Sequence, residues 1–118
     1  MPYMLLILEP TDQRHSRSEA EGHAAYASML GFADDLKARG LLRAVESLSS
    51  HAVAARVQVR GGRPQVLDGP FAEAKEMVGG FFLVDCETRE EAVAIAAQCP
   101  AAQWCTVEVR ALGPCYGA

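Results

Sequence analysis

Apolar and polar positions along this chain follow two periods, and the switches between them divide it into elements. Tyr3 to Leu8 is a continuous apolar run of strand length, which suits a central strand covered on both faces. The polar stretch Thr11 to Arg17 leads into Ser18 and Glu21, whose spacing is that of a capping box. Tyr26, Met29, Leu30, Ala33 and Leu36 then recur at helical spacing and predict one apolar stripe. Gly40, preceded by Lys37 and Arg39, ends this helix. Leu41 to Leu48 predicts a second, less regular strand. Alternation from Ala54 to Val59, the pair Gly61-Gly62 and the return from Pro64 to Leu67 predict a β-hairpin, with Arg56, Arg60 and Arg63 on a solvated face.

Gly79 to Val84 reads as another strongly buried strand, and Thr88 to Glu91 as the capping box of a second long helix. Ala92, Val93, Ile95, Ala96 and Cys99 give that helix a face of small residues, and Pro100 stops it. Val107 and Val109, alternating with Glu108 and Arg110, form a closing strand. The order is strand, helix, strand, hairpin insert, strand, helix, strand. Two right-handed βαβ-like halves in that order predict an α+β, ferredoxin-like split βαβ antiparallel sheet with both helices on one face. The other face is left bare, so a homodimer formed by sheet-to-sheet packing is expected.

Composition narrows this picture. The length of 118 residues and an even composition predict a single domain over residues 1–118. A formal net charge of −4 and a pI near 5.3 offer no electrostatic footprint for nucleic acid. The apolar opening has no basic flank and breaks at Glu9-Pro10, short of secretory or membrane-spanning length, which predicts a cytoplasmic protein without membrane contact. Cys86, Cys99, Cys105 and Cys115 form no CxxC pair and read as free thiols. His23 and Glu19 share a helical spacing but make only a one-sided ligand set, so neither a metal nor another cofactor is expected.

The densest chemistry lies in Asp68-Gly69-Pro70-Phe71-Ala72-Glu73-Ala74-Lys75-Glu76. Gly69 permits a sharp turn before the fixed proline dihedral, and Asp68 is suited to accept amide hydrogen bonds there. Asp68 is thus either a turn residue or a carboxylate delivered to a cleft as a general base. Glu73 and Lys75 either pair with each other on a solvated loop or hold a charged substrate. Trp104 either packs in a core or dimer contact or lids an apolar pocket.

This motif, with Gly79 to Val84, Cys99-Pro100 and Val107 to Arg110, resembles the DGPF-motif branch of the YCII-related proteins along nearly the whole chain. The resemblance implies a ferredoxin-like fold of the dimeric α+β barrel superfamily and a family whose activity is mostly undetermined. In YCII-related proteins outside that branch, a histidine early in the first helix pairs with an aspartate just before a proline after the second helix, and an elimination-type enzyme in the superfamily uses such a pair. His23 matches the first position. The second falls on Cys99, where the carboxylate is missing.

Two functions follow. One is a cofactor-independent enzyme in which His23 moves a proton on a small carbonyl-bearing or aromatic substrate, Asp68 or Glu73 orients it, and Lys75 or Arg110 binds its negative charge, with Phe71 and Trp104 as apolar substrate contacts. The other is a non-catalytic dimeric module that binds a small molecule or a regulatory partner; the resemblance adds that DGPF proteins often accompany alternative sigma factors. The enzyme requires Asp68 or Glu73 within hydrogen-bond reach of His23 in an open pocket.

Overall fold

The computed structural model describes residues 2–117. Six strands and three helices follow one another as β1 (Pro2–Pro10), α1 (Gln13–Ser16), α2 (Glu19–Ala38), β2 (Leu42–Ser47), β3 (Ala55–Arg60), β4 (Arg63–Asp68), β5 (Glu76–Asp85), α3 (Arg89–Gln98) and β6 (Thr106–Ala111). Short 3-10 turns occupy His51–Val53 and Pro100–Gln103. Four strands pair antiparallel in the order β2-β5-β1-β6, and β3-β4 stands apart as a two-stranded ribbon. The fold is therefore α+β.

Local chemistry sets the element ends. The Ser18 amide donates to Glu21 Oε1 at 2.8 Å and the Glu21 amide to Ser18 Oγ at 3.1 Å, completing the expected capping box at the start of α2. The Ser18 amide, with the Ser18 hydroxyl, holds the Glu21 carboxyl below its ordinary pKa. At α3 only half the box forms: the Glu91 amide reaches Thr88 Oγ1, while Glu91 Oε2 accepts from the Glu87 amide. Gly61 and Gly62 both have positive φ, 58° and 77°, as a tight turn between β3 and β4 requires. The polar lead-in Thr11 to Arg17 contains a short helix that the hydropathy pattern does not reveal.

The apolar run in β1 is not covered on both faces as its hydropathy suggests. Tyr3, Leu5, Ile7 and Glu9 are buried, whereas Met4, Leu6 and Leu8 are half-buried. Tyr3, Leu5 and Ile7 meet Phe82 and Val84 of β5, Phe32, Ala33 and Leu36 of α2, and Ala92, Ile95 and Ala96 of α3 in one core. Phe32 and Phe82 are edge-to-face, with centroids 5.1 Å apart. Both long helices thus cover the same face of the sheet.

On the opposite face, Met4, Leu6 and Leu8 align with Leu83, Phe81 and Val78 of β5. No other layer of the chain covers this face among the described residues. The sheet and its helix layer account for the 18 Å thickness of a body whose other dimensions are 47 and 42 Å. No helix among the described residues is long and apolar enough to cross a membrane.

Leu36 is fully buried between the helix layer and the sheet. Leu36→Ala should lower unfolding free energy by about 2–5 kcal/mol, because neighbours fixed in strands close the cavity only partly. Urea denaturation would register this as a shifted midpoint at unchanged slope.

Candidate functional site

A cleft of about 840 Å³ opens between the N-terminal half of α2 and the sheet. Its floor is made by the end of β1. Strand alternation that buries Tyr3, Leu5 and Ile7 carries Glu9 to the same side, leaving this charged residue only 8% exposed. Burying a charge is costly unless it is paired. The partner is Arg14, whose Nε donates to Glu9 Oε1 and whose Nη2 lies 3.5 Å from the Gly79 carbonyl.

Space for this pair comes from β5. Ile7 pairs with Gly80 and Leu8 with Val78, so Gly79 is an extra residue at a β-bulge. A Cβ on Gly79 would fall on the Glu9 carboxylate and lie 3.1 Å from Arg14 Nη2. The bulge and the missing side chain together let a charged pair sit where the core would otherwise continue.

Around this floor stand Arg17, His23, Tyr26 and Trp104. Arg17 Cζ lies 5.5 Å from the Trp104 ring centroid, a cation–π arrangement, and Arg17 joins no salt bridge among the described residues. Trp104 is half-buried, and α1 anchors its backbone: Gln13 Nε2 donates to the Trp104 carbonyl at 2.7 Å. Tyr26 and Leu30, expected in the core stripe of α2, are instead 54% and 50% exposed and overhang the cleft, while Phe32 takes the buried place. His23 is exposed along the same rim.

The motif residues lie elsewhere. Asp68 closes β4 opposite Ala55 and is exposed, as are Glu73 and Lys75 in the turn before β5; none lines the cleft with His23. Lys75 contributes its backbone, accepting from the Thr11 amide at 3.0 Å. Arg110 pairs with Met4 across β6 and β1 and so belongs to the uncovered face of the sheet. Phe71 is buried beneath the Arg56 guanidinium, 3.8 Å from its ring centroid, and its amide donates to His51 Nδ1 at 3.3 Å. His51 is thus half-buried and anchors the motif.

Gly69 explains the motif's turn. The Gly69-Pro70 peptide is cis, the Gly69 amide donates to the Ala54 carbonyl at 2.7 Å, and an added Cβ would overlap the His51 carbonyl oxygen. The motif packs the base of the hairpin onto the 3-10 turn at His51. Its conformation needs Gly69 and Phe71, and the Asp68 side chain makes no salt bridge among the described residues.

The Cys99 thiol, at the position where the resemblance expects a carboxylate, is buried and directed at Met29 Sδ, 3.8 Å away; burial raises its pKa. Burial, then the Glu9 carboxylate, pushes the neighbouring Cys105 thiol up to about 11. Among the described residues no three His, Cys, Asp or Glu side chains gather as a metal set.

With this geometry in place, comparison with known proteins is informative. The model of the YCII-related domain matches residues 1–115. The chain belongs to the YCII-related family. An uncharacterised protein of Rhizobium meliloti (strain 1021) is 42% identical over 57 residues, which cover 48% of this chain and 46% of that relative. The match thus spans about half the length of each protein and carries no activity with it. Within this YCII-related chain, Glu9, Arg14 and Arg17 are cleft residues that hydropathy does not mark. The readable signal was the phase of β1, which puts Glu9 in step with Tyr3, Leu5 and Ile7.

Gly69→Ala should cost about 1–3 kcal/mol in urea denaturation because its Cβ meets rigid backbone, whereas Asp68→Asn should change stability by less than about 0.5 kcal/mol. Cys105 gives a pH dependence: its unfolded thiol titrates near the ordinary value of 9.0 and its folded thiol at about 11, so the unfolded chain loses the proton first. Its contribution is fully present below about pH 9 and is lost as pH rises through about 11. Stability measured across this window should fall less steeply in Cys105→Ala than in the wild type.

Proposed function

We propose that this YCII-related chain is a small-ligand-binding protein that works as a two-fold dimer, with its ligand seated in the cleft beneath α2. The observation that carries this reading is the Arg17–Trp104 contact beside the Glu9–Arg14 pair: a cation in no salt bridge among the described residues, held on an aromatic ring at the edge of a partly apolar cleft. Such a site suits a small molecule with a flat apolar body and an anionic or strongly accepting head. Trp104 and Tyr26 would receive the body, and Arg17 with His23 the head.

The sheet supplies the grounds for a dimer. Its order, β2-β5-β1-β6 with both helices on one face, is that of a ferredoxin-like split βαβ unit, and Met4, Leu6, Leu8, Phe81 and Leu83 form an apolar strip on the other face. Stacking two such strips about a two-fold axis would remove both from water and close a dimeric α+β barrel.

Acid–base catalysis by His23 is the second reading, favoured by its place on the cleft rim. It is weaker because Asp68 and Glu73 do not line that cleft, and Glu9, the buried carboxylate that does, is engaged by Arg14. Binding needs none of these carboxylates to act as a base.

Trp104 is the single tryptophan and so reports on the cleft directly. Titration with benzoate and phenylacetate should quench its fluorescence saturably and raise the melting temperature, while benzamide should do neither at equal concentration. Arg17→Met should weaken carboxylate binding by about 10-fold or more, on the scale of one charge-assisted hydrogen bond. Arg110→Met, on the other face of the sheet, should leave it unchanged. Quenching that survives Arg17→Met, or that benzamide matches, would count against this site.

A further inference from the structure

We propose that the β3–β4 hairpin is an arm that docks on a second copy of this chain, an inference that rests on the two-fold pairing above and adds a second contact to it. Every residue of both strands is exposed. A lone two-stranded ribbon is marginally stable in water, so a ribbon with this much bare side-chain surface calls for a covering partner.

The register shows what kind of surface it offers. Val57 pairs with Val66 and Val59 with Pro64, and Ala55 precedes them on the same side, so this face of the ribbon is apolar apart from Asp68, which lies opposite Ala55 at its base. Val57, Val59 and Val66 are 63%, 59% and 63% exposed. The other face carries Arg56, Gln58, Arg60, Arg63 and Gln65, with Leu67 its apolar exception. Arg56 lies over Phe71 at the base of the arm, so the arginine face meets the chain's own loop and the valine face is turned away from it.

Charge and shape point to a second copy as the occupant. The arm holds three arginines and one acid in a chain of net charge −4, which leaves the rest of the molecule more acidic than the whole. The uncovered sheet face has a matching layout: an apolar centre with exposed Glu46 on one edge strand and exposed Glu108 on the other, Arg110 being the opposing charge at one corner. The arm leaves the sheet at the ends of β2 and β5. With two sheets stacked face to face, an arm extending past its own sheet would pass along the margin of its partner's, its valine face turned to that margin and the tip pair Arg60 and Arg63 within reach of the partner's acidic edge. Two-fold symmetry makes each copy both donor and acceptor of an arm.

Sedimentation equilibrium on the full chain tests this with two cross-strand pairs that differ only in face. Val57→Asp with Val66→Asp should weaken the dimer dissociation constant at least about 100-fold, since two apolar side chains lose their cover. Gln58→Asp with Gln65→Asp should change it by less than about 10-fold. Circular dichroism and Trp104 fluorescence would establish that the body of each variant is folded. In a dimer mixed from labelled and unlabelled copies, NMR should show contacts between copies from the methyls of Val57 and Val66. Leu83→Asp, on the uncovered sheet face, separates the two readings. If it abolishes the dimer while the valine pair leaves the constant unmoved, sheet stacking stands and the arm proposal is overturned. A wild type that stays monomeric at NMR concentrations, including one whose arm captures a different macromolecule, overturns both.

Discussion

The side-chain alternation of β1 governs this molecule. The strand lies between β5 and β6 at the centre of the sheet, and successive residues project to opposite faces. Its odd positions face the helices: Tyr3, Leu5 and Ile7 enter the core, and Glu9 continues the series onto the cleft floor. Its even positions, Met4, Leu6 and Leu8, supply one row of the apolar strip on the open face. One strand therefore sets the core, the cleft and the uncovered surface. A slip of one residue would exchange the two faces and remove all three together.

The cleft exists because the core is interrupted at a defined point. A carboxylate in step with three core side chains is tolerable only if a cation reaches it, and α1 is the element that brings Arg14 there. The same short helix holds the Trp104 backbone through Gln13, so one turn of polar sequence assembles both the charged floor and the aromatic edge. Gly79 completes the arrangement by its bulge and its lack of a side chain. A small chemical site has been fitted into the end of an otherwise ordinary two-layer core.

The charged turn that draws attention in the sequence has a different task. Gly69 approaches the His51 carbonyl more closely than any Cβ would allow, and Phe71 is enclosed by His51 and Arg56. These contacts fix how the hairpin leaves the body. Asp68, Glu73 and Lys75 surround that joint on the solvent side. The motif carries a structural demand, while Glu9, Arg14, Tyr26 and Trp104 reach the cleft from β1, α1, α2 and the turn at Trp104.

Local signals were legible where local physics decides the outcome. The capping box at Ser18, the glycine pair of the hairpin, the stop at Pro100 and the strand of Gly79 to Val84 each depend on a few neighbouring residues, and the sequence by itself determined them. It determined the α+β order of elements in the same way. What only the tertiary structure decided was which charged residues meet. Glu9 and Arg14 look like the polar end of a strand and part of a loop until β5 places a bulged glycine beside them, and Tyr26 looks like core until Phe32 is seen to occupy that place. His23 shares its cleft with Glu9 and Trp104, not with Asp68, because the strand order puts the hairpin beyond the end of the sheet. Pairings of this kind depend on long-range register, and hydropathy carries register only through the phase of each strand relative to its neighbours.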